Sequence, residues 1–359
     1  MRRVVLLAVA VAASLVLAAP GSAAARTTPR GFFGVMVNGV LDTPTVNLAS
    51  ESANMRRAGV ESERFEIAWD LVEPTQGRLE FGAIDRKVAA AARNRIDVLG
   101  LVVRTPNWAA SVPGQPFSPP RDSAAYAGFL RALIARYGPR GSFWAANPGL
   151  PRDPIRHWQI WNEPNIAINF VGVRSWPATY ARLLRAAYRA VHGADSGARV
   201  VMAGLANFSW RDLARAYRAG VRGSFDVAAV HPFSGRPSNS VKITRLNRDV
   251  MNRNGDRRKP IWLTELTWSS AKGRKTPLTQ DWEVTERGQA QRLRQAYTLY
   301  VRARGSLGLG RIFWYTWATV DRDSKNSFDY SGLRTQLPSG RFADKPALAA
   351  FRAVARRFG

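Results

Sequence analysis

The sequence has no cysteine, few acidic residues and only three histidines. The first absence excludes disulfides, thiolate metal sites, a cysteine nucleophile and a lipidated N-terminal cysteine, so the fold must stand on packing alone. Three dispersed histidines without ligand spacing give no expectation of a catalytic metal, and no cofactor is expected. Acids are outnumbered, 26 Asp and Glu against 53 Lys and Arg. The formal charge of +27 raises anionic polymers, a cell wall or nucleic acid as partners. The positive charges are scattered, however. Arg211, Arg215, Arg218 and Arg222 recur at helical spacing and read as a solvated helix face, while Arg257-Arg258-Lys259 sits just before a strand. No nucleic-acid motif accompanies the charge, so attraction to an anionic wall or polysaccharide is the expectation and specific nucleic-acid binding is not.

Long apolar runs are scarce too. Arg2 and Arg3 precede an apolar stretch over residues 4–19, followed by Pro20-Gly21-Ser22 and Ala23-Ala24-Ala25. This order reads as a secretory signal over residues 1–25. A retained single-helix anchor is the alternative, for which the run is short and wrongly flanked. No later stretch is apolar enough for a bilayer. The expectation is a secreted, extracellular protein without stable membrane insertion, whose residues 26–359 form one domain.

What is present is a regular alternation. Apolar segments at 31–37, 60–67, 98–103, 157–161, 200–204, 225–230, 261–266 and 311–317 read as strands. Between and after them, helical stretches fall at 44–55, 81–95, 126–137, 180–191, 211–219, 241–253, 285–304 and 345–357. Near-continuous apolar strands indicate a sheet covered on both faces, and strict alternation indicates parallel pairing. Eight such units close into an α/β fold of the (β/α)8 TIM-barrel type, with its site at the C-terminal strand ends. An open doubly wound sheet would need a Gly-rich phosphate turn after the first strand, and Gly34-Val35-Met36-Val37-Asn38-Gly39 does not supply one. The run 305–310 imitates that fingerprint but follows a helix and precedes a strand, the reverse of the required order.

Two strand ends carry glutamates. Trp161-Asn162-Glu163-Pro164-Asn165 closes the fourth strand and Ile261-Trp262-Leu263-Thr264-Glu265 the seventh. Opposed across a barrel mouth, two such carboxyl groups can cleave a glycosidic bond; retaining enzymes hold them about 5–5.5 Å apart. Trp69, Trp108, Trp161, Trp268, Trp314 and Trp317 lie at or near strand C-termini. They read either as sugar-stacking surface or as core. Trp314 is assigned here to the core and Trp317 to the floor of the cleavage subsite. The loops at 111–120 and 141–154 are candidates for blocking the cleft.

These residues resemble glycosidase clan A, the eight-stranded barrels with catalytic glutamates on strands four and seven. Within it the chain is similar to the cellulase-like and the β-xylosidase/iduronidase-like families. The resemblance runs from about Gly31 onward and is carried most by Trp161-Asn162-Glu163-Pro164. It implies Glu163 as acid/base, Glu265 as nucleophile, and Arg64 as support for the nucleophile. It further implies Asn162 as ligand of the sugar 2-hydroxyl and Asn107, Trp108, His231 and Trp317 as substrate contacts. Where the clan often carries a tyrosine after the sixth strand, this chain has Phe233, which removes a hydroxyl from beside the nucleophile. The implied activity is retaining O-glycoside hydrolysis of a poly- or oligosaccharide. Phe233 and the basic charge keep open a non-catalytic carbohydrate- or wall-binding protein on a degenerate barrel.

Overall fold

The computed structural model describes residues 27–37, 39–274, 282–322 and 324–359. The segment read as an export signal lies outside the described residues. Eight parallel strands form the centre: β1 (Phe33–Met36), β2 (Ser62–Ala68), β3 (Asp97–Val103), β4 (His157–Ile160), β5 (Arg199–Met202), β6 (Ala228–Val230), β7 (Ile261–Leu266) and β8 (Leu309–Trp314). Their hydrogen-bonded order is β5-β4-β3-β2-β1-β8-β7-β6. Parallel bridges from Val201 to Val227 and from Leu205 to Val230 join β5 to β6 and complete the circle. The fold is a (β/α)8 barrel.

Helices α1 (Leu48–Arg57), α2 (Trp69–Val72), α3 (Gly82–Arg93), α4 (Ser123–Tyr137), α5 (Ser142–Ala146), α6 (Trp176–Ala194), α7 (Ser209–Arg218), α8 (Pro237–Arg253), α9 (Glu286–Leu307) and α10 (Pro346–Phe358) connect and surround the strands. In α6, Pro177 presets the first turn, and Tyr180, Leu183, Leu184, Ala187 and Val191 recur on one buried stripe. Burying each large apolar side chain contributes about 1.5–3 kcal/mol. The stripe also positions strand ends. The Tyr180 hydroxyl donates to the Ile160 carbonyl (2.9 Å) and accepts from the Ala203 amide (2.6 Å), while Tyr126 of α4 donates to the Val102 carbonyl (2.7 Å). Two buried tyrosines thus bond backbone groups near the strand ends, beside the site, the Val102 carbonyl accepting from the Trp161 amide as well. On the opposite side of the chain's charge balance, Arg211, Arg215 and Arg218 are exposed on α7, as their helical spacing requires.

Inside the barrel, Leu99, Val201, Val227, Ala229, Trp262 and Phe313 form a separate apolar cluster. His157 packs on Trp262 with ring centroids 5.1 Å apart. Burial and nearby arginines push its pKa down to about 3. This plug, with His157 and Arg311 packed on Trp262 toward the N-terminal end, keeps the interior solid.

Some elements differ from the sequence expectation. The last barrel strand ends at Trp314 rather than at 317. The chain then builds a small sheet from β9 (Ala318–Thr319), β10 (Arg334–Gln336) and β11 (Phe342–Asp344), strands too short to leave a periodic signal. The loop at 141–154 connects α4 to β4 and contains α5. A helix-to-strand connection returns to the N-terminal face of a barrel, so this loop lies opposite the site and cannot block it. The loop at 111–120 does follow a strand, and its Phe117 carbonyl accepts from the Val171 amide (3.0 Å), tying it to the connection after β4. No helix among the described residues is long and apolar enough to cross a membrane.

Candidate active site

Arg64 organises the site. It points inward from β2, is wholly buried, and each of its three nitrogens has a partner. Nε donates to Oε1 of Gln159 (2.7 Å), Nη1 to Oε1 of Glu265 (2.8 Å) and Nη2 to Oδ1 of Asn162 (2.8 Å), with the Met36 sulfur 3.0 Å from Nη1. A guanidinium has no acceptor, so it fixes which end of each amide faces it. Asn162 therefore turns its NH2 group toward the open side. Gln159 turns its own toward Thr264, whose hydroxyl is 3.5 Å away.

The turn after β4 aims Glu163. Trp161 and Glu163 have φ of 69° and 43°, the left-handed region that non-glycine residues rarely occupy. Their surroundings hold them there. The Trp161 amide donates to Val102 (2.9 Å), its indole to the Asn169 carbonyl (2.7 Å), and the Glu163 amide to the Gly204 carbonyl (3.1 Å). Asn169 in turn donates from Nδ2 to Oε2 of Glu163 (3.0 Å).

His231, at the end of β6, reaches both glutamates. Its Nδ1 is 2.7 Å from Oε1 of Glu163 and 3.7 Å from Oε2 of Glu265; its Nε2 is 2.9 Å from the Thr264 hydroxyl. The ring fits because residue 204 is glycine: a Cβ there would collide with the imidazole. On β7 the pairing to β8 shifts register between Leu263 and Leu266. Thr264 and Glu265, though adjacent, both meet partners inside the barrel.

Burial raises Glu163 to a pKa of about 7, against the lowering effects of Arg64 and the Asn169 hydrogen bond. Burial lowers His231 to about 4, with Glu265 opposing that shift and Arg64 adding to it. At neutral pH the imidazole is therefore neutral and does not cancel the negative charge beside it. Glu265 has Arg64 as direct ion-pair partner. One oxygen of Glu163, one of Glu265 and a His231 ring nitrogen all lie within 4.8 Å of one another. Such a trio has metal-ligand chemistry, but both imidazole nitrogens are already hydrogen-bonded and Arg64 supplies the local positive charge.

The structure brings together Glu163, Glu265, Arg64, Asn162 and His231. It places one other expected site residue, Trp317, in the core, and shows Asn107 and Trp108 in local packing around the loop after β3. Trp317 is wholly buried, donates from its indole to Oε2 of Glu51 (2.8 Å), and lies under Arg334. With no exposed face it belongs to the core and cannot be a sugar-stacking floor. Trp69, Trp161, Trp268 and Trp314 are likewise fully buried, so the tryptophan rim read from the sequence is mainly core. Asn107 accepts from the Gly114 amide (2.7 Å) and so shapes its own loop. Trp108 is half-buried edge-on against Trp69, with its indole on the Glu73 carbonyl (3.0 Å). Phe233 lies 6.0 Å from the His231 ring and packs with Trp282 and Phe328. Oε2 of Glu265 has no hydroxyl partner among the described residues. Gln159, Thr264, Asn169 and Gly204 were not singled out from the sequence. The available signal was polar Gln159 and Thr264 within otherwise apolar strands.

Neither a protein-family model nor a curated protein matches the sequence significantly. Solved structures do match in shape. A family 39 glycoside hydrolase from Bacteroides cellulosilyticus superposes with a TM-score of 0.68 at 19% identity, over 92% of this chain and 64% of that one. A β-xylosidase from Caulobacter crescentus gives 0.63 at 17%, over 91% and 68%. A GH5_18 protein from Bifidobacterium longum, in complex with Manβ1-4GlcNAc, gives 0.66 at 13%, over 91% and 78%. The fold is the (β/α)8 barrel that these glycoside hydrolases share. This chain spans less than two thirds of the length of the first of these proteins. At such identities the likeness concerns the fold, and the chemistry must be argued from the side chains.

Proposed function

We propose that this protein is a retaining O-glycoside hydrolase, exported from the cell, acting on a poly- or oligosaccharide. The observation that carries the reading is the approach of the Glu163 and Glu265 carboxyl groups to within 4.8 Å at their nearest oxygens. So close an approach supports the separation of about 5–5.5 Å used for double displacement over the roughly 6.5–9.5 Å of inverting enzymes. The glycosidase activities of the structural neighbours point the same way.

The roles follow from the environments. Glu163, half-protonated near neutral pH, donates its proton to the leaving oxygen. Glu265 attacks the anomeric carbon, oriented by Arg64. The NH2 group of Asn162, free on its open side, donates to the 2-hydroxyl of the sugar. Glu163, now ionised, takes a proton from water, which releases the sugar from Glu265. His231 stays bonded to Glu163 through both steps, since a neutral imidazole can donate from one nitrogen and accept at the other.

The test is a panel of aryl glycosides with the wild type, Glu163→Ala and Glu265→Ala, with and without azide. The expected result is loss of activity in both variants, with azide restoring turnover as a glycosyl azide of opposite anomeric configuration for each. Equal turnover in wild type and both variants would refute the assignment. Polysaccharide pull-down without turnover of any glycan would favour the binding protein instead.

A further inference from the structure

Gln159 on β4, Thr264 on β7 and His231 after β6 are wholly buried. Buried donors must find acceptors, so the contacts among them can be read for direction. Arg64 sets the first one. Its Nε donates to Oε1 of Gln159 (2.7 Å), which leaves the Gln159 NH2 group facing the Thr264 hydroxyl at 3.5 Å. That contact is long, but an NH2 group offers only hydrogens, so Thr264 turns its oxygen toward it and its own hydrogen away. The other partner of the hydroxyl is Nε2 of His231, 2.9 Å distant. The hydrogen goes there, and Nε2 accepts it.

The far side of the ring agrees. Nδ1 faces two carboxyl groups, Oε1 of Glu163 at 2.7 Å and Oε2 of Glu265 at 3.7 Å. A bare nitrogen lone pair would oppose those oxygens, whereas an N–H meets them. Burial lowers the pKa of the ring to about 4, so at neutral pH it carries one proton, and both sides of the ring put that proton on Nδ1. Its place decides what Glu163 can give. With Nδ1–H donating to Oε1, the proton of protonated Glu163 resides on Oε2. Oε2 also accepts from Nδ2 of Asn169 (3.0 Å), and a hydroxyl oxygen can accept there while donating its own hydrogen elsewhere. In the other tautomer Oε1–H would donate to Nδ1, and the proton would be held against the ring.

We propose that Gln159 and Thr264 are positioning residues of this site: they pass a fixed hydrogen-bond direction from Arg64 to His231, which holds its proton on Nδ1 and keeps the transferable proton of Glu163 on Oε2. In the chemical step the Oε2–H bond breaks as the proton joins the leaving oxygen. Glu163 is left ionised, with Nδ1–H still bonded to Oε1. His231 gains and loses no proton in the cycle. The use of the Glu163 proton rests on the glycosidase reading; the tautomer of the ring does not.

Nitrogen NMR of isotopically labelled histidine at neutral pH reads the tautomer directly. With three histidines in the chain, the His231 signals are those lost in His231→Asn. Wild type should show a protonated Nδ1 and an unprotonated Nε2. Gln159→Glu turns the NH2 donor into an acceptor for the Thr264 hydrogen, so the hydroxyl should reverse and the ring should carry its proton on Nε2. Turnover of aryl glycosides with poor leaving groups should then fall about 10²-fold, the lower end of what a general acid supplies, and turnover of activated ones much less. In Thr264→Val the Nε2 signal should move toward that of a free lone pair and poor-leaving-group turnover should fall, while Thr264→Ser restores both. Thermal melts check folding, and the Thr264 pair carries the test if Gln159→Glu does not fold. A wild-type ring protonated on Nε2 or on both nitrogens would overturn the proposal, as would an unchanged tautomer in folded Gln159→Glu. Losses in Thr264→Ser as large as in Thr264→Val would reduce the hydroxyl to packing and overturn it too. An Nδ1 tautomer in a protein that cleaves no glycoside would uphold the hydrogen-bond direction and sink the hydrolase; turnover with the proton on Nε2 would do the reverse.

Discussion

Nδ1 of His231 stands 2.7 Å from Glu163 and 3.7 Å from Glu265, so one imidazole spans the two carboxylates. Burial keeps that ring neutral, with its pKa lowered to about 4. A cationic ring there would pull Glu163 down and leave it without a proton to give. The neutral ring lets burial dominate at Glu163, which rises to about 7.

The first expected outcome is a pH profile. The protonated form of Glu163 is the active one, so kcat/KM for substrates with poor leaving groups should fall on the alkaline side of about 7. The limb should approach about tenfold per pH unit. Glu163→Gln should lower kcat/KM on those substrates by about 10²- to 10⁴-fold and remove the limb. Substrates with activated leaving groups, which need no acid, should show a weaker limb in the wild type. Initial-rate profiles over pH 4–9, a range of about five units, check this.

Arg64→Met tests the buried ion pair. The substitution leaves Glu265 with no positive partner and Gln159 and Asn162 with unused acceptors. Breaking one side of a buried pair costs about 3–5 kcal/mol, so denaturant midpoints should drop and activity should be lost with them. Arg64→Lys should recover charge but not the three-way geometry, and should remain well below wild type in kcat. Unchanged stability in Arg64→Met would contradict the network described here.

Trp317→Phe distinguishes core from cleft. The variant loses an indole hydrogen bond to buried Glu51, at a cost of about 1–3 kcal/mol in stability. A core role predicts reduced thermal stability with KM unchanged. A rise in KM without a change in stability would instead return Trp317 to the sugar-contacting surface.

Much of this was legible in the sequence, and the reasons are specific. Alternating apolar runs exposed the eight strands because a parallel barrel buries both faces of each. Glu163 and Glu265 stood out because each ends such a run. Arg64 was reached only through the family resemblance, because its strand also carries Glu63 and Glu66 and a charge there does not stand out. Trp317 misled because an indole is equally at home in a core and in a sugar cleft, and only burial separates the two. Asn169 and Gly204 left no signal: one acts from a loop by folding back onto Glu163, the other by what it lacks beside His231.

Glu63 carries a prediction about stability rather than activity. Buried on β2, it has a pKa raised by desolvation to about 8, with Lys87 opposing. A carboxyl group whose folded pKa lies above the unfolded value favours the folded state in acid. That contribution is lost as pH rises from about 4.5 through 8. Glu63→Gln should therefore match wild type near the acidic end and exceed it in alkali by on the order of 5 kcal/mol. Denaturant titrations of both proteins at the two ends of that window check the sign.

The central claim is that Glu265 forms a covalent bond to the sugar while Glu163 handles the proton. Incubation with 2-deoxy-2-fluoro aryl glycosides of the sugars that the enzyme turns over, followed by proteolysis and mass spectrometry, reads this out directly. The account predicts one glycosyl adduct per chain, on Glu265, accumulating fully in the wild type and absent in Glu265→Ala. An adduct on any other residue, or hydrolysis that proceeds with inversion and never labels the protein, would contradict it.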